Sequence, residues 1–271
     1  MPAHSYPEVV APRGGPVVIS AARSSRPATT ARPLALITGA AKRLGAVTAR
    51  RLHGAGFDIA IHYHTSAAEA RQLAAELNAD RAHSAFVVRQ NLAARNAGAR
   101  LVAAIAKRAG RLDVLVNNAS IFDETPLDDA DPATWERMQA INLRTPYFLC
   151  VHAARLLGAQ QGSIVNIVDI HAERPRRGYS MYCASKAGLL AVTRSLALEL
   201  APAVRVNAIA PGAILWADSE DGAQRTEWLR ATPLARRGEP ADIADAVLYL
   251  VHAPYVTGQV ISVDGGRSLH M

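Results

Sequence analysis

Leu34-Ala-Leu-Ile-Thr38 runs without a break into Gly39-Ala-Ala-Lys-Arg-Leu-Gly45, and Ala46-Val-Thr-Ala-Arg-Arg-Leu52 follows. The first run is short and apolar, as a fully buried strand is. The last has the composition of a helix. Between them, Gly39 permits a tight turn and Gly45 lets the helix approach the sheet closely. A helix that opens directly behind a strand aims free N–H groups and a partial positive charge beyond the strand end. That is a site for a phosphate. The plain alternative is an ordinary strand-to-helix loop.

The same alternation continues outward. Strands are expected at Leu34–Thr38, Phe57–Tyr63, Ala85–Val88, Val114–Val116, Ser163–Val168, Val204–Ala208 and Val260–Val263. Helical stretches such as Ala46–Leu52, Ala67–Leu77 and Asn96–Arg108 separate nearly all of them. Fully apolar strands alternating with helices predict an α/β protein, a doubly wound parallel sheet with helices on both faces. Residues 34–271 read as one domain. Residues 1–33 lack periodicity and hold four Arg and one Glu; they read as a mostly disordered arm or, alternatively, a transit peptide. Ile214–Pro240 reads as a long loop with a short helix. It is expected over the substrate side of the crevice, as a closing lid or as a static loop packed by Trp216 and Trp228.

With 50% hydrophobic and 20% charged residues in 271, a sizeable core can be buried. The formal charge is +7, of which the first 33 residues supply +3. The remainder is dispersed, which suits an anionic ligand and argues against a nucleic-acid partner. No apolar run approaches the roughly 18 residues of a membrane span. Cys150 and Cys183 lie far apart, so a reducing, cytoplasmic setting is the simplest reading. No redox role is expected for Cys183. His62 and His64 would share one strand face, but no third ligand accompanies them and no metal is expected.

The second strand decides what the Gly turn would hold. A site for NAD wants an acid about 20 residues beyond the turn, to hold the ribose 2′-OH. Here Ile61-His-Tyr-His-Thr-Ser66 carries none before Glu69. A carboxylate would repel a 2′-phosphate; Arg43, Thr65 and Ser66 would welcome one. NADPH is therefore the expected cofactor.

Further on, Tyr182 and Lys186 lie four apart at the start of a helical stretch and so are neighbours. A lysine cation there is expected to lower the tyrosine pKa and make a better proton donor near neutrality. Asp169 follows the strand Ser163–Val168. Ligands of open parallel sheets bind beyond such strand ends, although a carboxylate there can equally cap a turn or pair with Arg174, Arg176 or Arg177.

Taken in order, these residues resemble the short-chain dehydrogenase/reductase family. The resemblance rests on Thr38-Gly39-x₃-Arg43-x-Gly45, Asn117-Asn-Ala-Ser120, Asn142, Asp169, Tyr182-x₃-Lys186, Pro211-Gly212 and Asp264-Gly265-Gly266. It covers about residues 34–271 and implies a Rossmann-type fold. Arg43 replaces the middle glycine of the usual turn, and Asp169 replaces the usual catalytic serine. With His62-Tyr-His-Thr-Ser-Ala-Ala-Glu-Ala70, these departures resemble the pteridine reductases.

That resemblance implies reduction of a dihydropterin, dihydrofolate or oxidised pterin, with Asp169, Tyr182, Lys186 and Asn142 catalytic. It implies cofactor contacts at Gly39, Arg43, Leu44 and Gly45 in the turn, and at His62, Tyr63, His64 and Ser66 on and after the second strand. Asn91 and Leu92 would lie near the adenine, with Asn91 where the family usually has Asp. Asn117, Ala119 and Ser120, then Tyr182, Lys186, Pro211 and Gly212, would complete the cofactor site. Phe122 would stack on the pterin, beside Asp169, Tyr182 and Trp216. A homotetramer is implied, through the apolar faces Leu189–Leu200 and Leu248–Val251. Two other readings stand beside this one: a carbonyl reductase of the same fold, and a nucleotide-sensing protein without catalysis.

Overall fold

A computed structural model describes residues 32–216 and 222–270. The expected N-terminal arm lies outside the described residues except for its last two. Of these, Arg32 pairs with Asp58 at 2.7 Å, so it belongs to the folded domain.

Seven strands are present: β1 (Leu34–Ile37), β2 (Asp58–Tyr63), β3 (Ala85–Arg89), β4 (Val114–Asn117), β5 (Ser163–Ile167), β6 (Arg205–Pro211) and β7 (Val260–Val263). They form one parallel sheet in the order β3-β2-β1-β4-β5-β6-β7. The helices are α1 (Arg43–Gly54), α2 (Ala67–Asp80), α3 (Ala97–Ala109), α4 (Pro132–Gln139), α5 (Thr145–Gly158), α6 (Ser180–Leu200), α7 (Gly222–Arg230) and α8 (Pro240–His252).

The two-residue period of each strand divides the core into two layers. Ala35 and Ile37 of β1, Val116 of β4 and Val165 of β5 pack with Leu52 of α1 and Val247 of α8. Leu34 and Leu36, Leu115 and Ile164 point the other way, onto Leu101 of α3, Leu149 of α5 and Leu196 of α6. Each buried Leu, Ile or Val stabilises the fold by about 1.5–3 kcal/mol relative to exposure. Both faces must be covered, so the strands are mostly apolar instead of alternating.

The chain winds outward from β1 to β3, then returns to place β4 on the other side of β1. This reversal opens a crevice beyond the carboxyl ends of β1 and β4. The segment Ile214–Pro240 contains α7, and its expected role as a lid spans residues 217–221, which lie outside the described residues.

Candidate active site

The crevice is built first from the Gly turn. Gly39 sits at φ +64°, where a side chain is strained, and a Cβ there would lie 3.2 Å from Ala119. A Cβ on Gly45 would meet the Gly39 carbonyl oxygen at 2.4 Å, so only glycine fits. Asn118 Nδ2 donates to the Thr38 carbonyl at 2.8 Å, and Thr38 Oγ1 accepts from the Asn118 and Ala119 N–H groups. The two strand ends flanking the crevice are thereby tied together. Lys42, preceding α1, makes no side-chain cap, and the first turn of α1 carries no acid. Its N–H groups suit an anion.

Arg43 opens α1 at φ +52°, in the left-handed region that favours glycine. Where related turns carry glycine, this chain holds an arginine in a glycine-like backbone. Beyond β2, in the first turn of α2, Glu69 pairs with Lys42 at 2.6 Å. His64 and Thr65 are exposed beyond the strand, and Ser66 is half-buried.

His62 departs from the expected direct cofactor contact. It is buried, its Nδ1 accepts the Gly39 N–H at 3.0 Å, and its Nε2 donates to the Gln90 carbonyl at 3.0 Å. It braces the turn from behind. This bonding requires the neutral ring, and burial pushes its pKa down to about 4. In the unfolded chain it titrates near 6.5. The unfolded state therefore binds the extra proton between those values, and stability falls as pH drops from about 6.5 to 4. The expected contribution is about 3 kcal/mol. Denaturant titrations at pH 7 and pH 4 should show a smaller loss in His62→Gln than in the wild type. Equal losses would show that His62 stays in contact with water.

The second group gathers around α6. Asp169 follows β5 and caps the short turn Ile170–Ala172, its Oδ1 accepting from the His171 N–H at 2.9 Å. Tyr182 Oη donates to Asp169 Oδ2 at 2.7 Å. Lys186 Nζ donates to the Ile167 carbonyl at 2.8 Å and lies 5.7 Å from the Tyr182 ring centroid. Contrary to the sequence expectation, the tyrosine pKa is raised well above its usual value. Burial dominates, and the Asp169 carboxylate adds to it. Burial also pushes Lys186 down to about 8, with Asp169 opposing. The phenol thus holds its proton firmly at neutral pH and already shares it with a carboxylate.

Asn142 lies in a π-helical segment, Ala140–Arg144, between α4 and α5. Its amide brackets Ile121, accepting from the N–H at 2.9 Å and donating to the carbonyl at 3.0 Å, and donates to Ser185 Oγ at 3.1 Å. It holds the loop after β4 against α6 and is a positioning residue. Asn117 points into the core, donating to Asn166 Oδ1 at 2.8 Å; Asn118, its neighbour, is the one that supports the Gly turn. Tyr63 and Leu92 are likewise core side chains. Asn91 caps its own turn, accepting from the Ala93 N–H.

Between the two groups lies a cavity of about 680 Å³. Arg43, Leu44 and Ser120 border it on the turn side, Pro211 and Gly212 on the β6 side, and Phe122, Asp169, Tyr182 and Trp216 along its walls. Phe122 stacks on Tyr179 at 4.5 Å and meets Tyr182 edge-on at 4.7 Å. Among the wall residues that the sequence does not mark as substrate contacts are His171, Arg176 and Trp228. Their signal was weak. His171 is two residues past a strand end, Arg176 is one of several arginines in its loop, and Trp228 comes from a helix distant in sequence.

A family model described as enoyl-(acyl carrier protein) reductase matches residues 39–268. Pteridine reductase 1 of Leishmania tarentolae is 39% identical over 279 aligned residues, spanning 88% of this chain and 96% of that protein. A 3-oxoacyl-(acyl-carrier-protein) reductase of Synechocystis is 36% identical, over 86% and 96% of the two chains. Among solved structures, a blue fluorescent protein from a metagenomic library, in complex with NADPH, superposes with a TM-score of 0.81 at 35% identity. That match covers 87% of this chain and 97% of the other.

Proposed function

The chain belongs to the short-chain dehydrogenase/reductase family, and on that premise we propose that it is an NADPH-dependent pteridine reductase. The observation that carries this reading is Asp169, placed at the end of β5 with its carboxylate on the Tyr182 phenol. A carbonyl reductase needs a hydroxyl donor for a substrate oxygen. A pterin presents ring nitrogens, one of which must gain a proton as the adjacent carbon is reduced. A carboxyl group beside a phenol can relay that proton.

The residues fit the cofactor. The uncapped start of α1 and the glycine cradle suit a pyrophosphate. The stretch just beyond β2 has no free carboxylate to repel a 2′-phosphate, because Glu69 is paired with Lys42. When bound, NADPH supplies a hydride. Tyr182 holds a proton and shares it with Asp169 Oδ2. Lys186 supplies positive charge beneath the phenol to offset the charge left when that proton leaves. Phe122 offers an aromatic face for a flat ring. Trp216 and Trp228 form apolar walls that limit water at the reacting bond.

The second reading, a ketoacyl reductase, has a specific observation in its favour, the 36% identity to the Synechocystis enzyme. Comparative turnover of a dihydropterin and a β-ketoacyl thioester separates the two.

We also propose a homotetramer. Of the expected α6 face, Leu189, Leu190 and Leu196 are buried in the core and Leu198 is exposed. Tyr249, within the expected Leu248–Val251 stretch of α8, is exposed, as are Tyr147, Phe148 and Val151 on α5. Clustered apolar surface of this kind marks an association site. Light scattering at micromolar concentration should give four times the chain mass; a monomer would contradict the assignment.

A further inference from the structure

Both carboxylate oxygens of Asp169 are in use. Asp169 Oδ1 takes the His171 N–H and Oδ2 takes the Tyr182 hydroxyl. His171 is different. It lines the cavity yet is only 4% exposed. Its Nδ1 lies 2.8 Å from the Arg174 carbonyl oxygen. A carbonyl can only accept, so Nδ1 carries the hydrogen, and in the neutral ring Nε2 is a bare acceptor. Among the described residues no donor meets Nε2, and it is not sealed away among the unpartnered buried atoms. It therefore opens on the cavity. Trp228 meets the imidazole edge-on at 5.8 Å, and the Trp228 ring in turn lies beneath the guanidiniums of Arg176 at 5.6 Å and Arg267 at 4.7 Å.

Asp169 and His171 lie two residues apart on one wall, fixed to each other by the capped turn. We propose that, with a ring nitrogen at Asp169, the substituent beside the reduced bond lies against His171, and that His171 Nε2 accepts a hydrogen bond from an O–H or N–H on it and so selects heterocycles with a donor-bearing side chain. This rests on the pteridine reading above and adds a specificity residue to it.

The test compares kcat/KM for 7,8-dihydrobiopterin, whose side chain carries hydroxyls, with that for 6-methyl-7,8-dihydropterin, whose side chain has none. One neutral hydrogen bond should favour the hydroxylated substrate about threefold to tenfold in the wild type. In His171→Leu the ratio should fall to about one; His171→Asn, which keeps a side-chain acceptor, should retain part of it. Taking the ratio cancels any shared loss from movement of Asp169. A wild-type ratio near one, or a ratio unchanged in His171→Leu, would overturn the proposal. If His171→Leu does not fold, the wild-type ratio and its change in His171→Asn still decide. Failure of the wild type to reduce either pterin would overturn the pteridine reading itself, and this proposal with it.

Discussion

Asp169→Ala is expected to lower kcat for dihydropterin reduction by about 10²–10⁴-fold, and Tyr182→Phe to do the same. NADPH affinity should change little in either variant. Both side chains act on one shared proton, held across 2.7 Å. Removing the phenol removes the group that burial and Asp169 keep protonated. Removing the carboxylate leaves the phenol intact but takes away the acceptor through which its proton is relayed. The two losses should therefore be far from additive in the double variant, as expected for groups that work as a unit. Lys186→Ala should impair both kcat and cofactor affinity, because the family resemblance assigns that lysine to the nicotinamide ribose as well. Stopped-flow hydride transfer, with NADPH binding followed by fluorescence, separates these terms. Full pterin reduction by Asp169→Ala would remove the residue on which the substrate assignment rests.

Arg43→Gly is the second large effect. A charge-assisted contact to phosphate contributes roughly 1.5–3 kcal/mol, so NADPH binding should weaken about ten- to a hundredfold. NADH binding should weaken much less. The substitution also relieves the left-handed backbone at this position, since φ +52° suits glycine. Stability should therefore hold or rise while affinity falls, which separates a lost contact from a damaged turn. Arg43 borders the same cavity as Asp169 and Tyr182. Equal losses for the two dinucleotides would mean that it serves a phosphate common to both, and not the 2′-phosphate.

Strands and helices were legible because burial on both faces leaves a plain mark: short apolar runs between helical stretches. Val260–Val263 is observed as expected, and Ala85–Val88 gains only Arg89. The Gly turn was legible for the same kind of reason, since only glycine tolerates the approach to Gly39 seen at Gly45. What the sequence could not give was the direction of each side chain at the crevice. Asn117 and Asn118 are indistinguishable as letters, but the strand pleat sends the first into the core and the second to the turn. The tyrosine acidity differs from the expectation because spacing reveals the lysine four residues away, whereas the burial that dominates the shift, and the Asp169 carboxylate that adds to it from beyond β5, come from the tertiary fold. His171 and Trp228 meet only through the tertiary fold.

The most direct test of the central claim is NADPH oxidation by the purified full chain against a panel: dihydrobiopterin, dihydromonapterin, dihydrofolate, a β-ketoacyl thioester and simple ketones. A carboxyl–phenol pair built to protonate a ring nitrogen predicts the highest kcat/KM on a dihydropterin, with little turnover of the ketones. Efficient reduction of the β-ketoacyl thioester, with none of the pterins reduced, would contradict the account and assign the site to carbonyl chemistry.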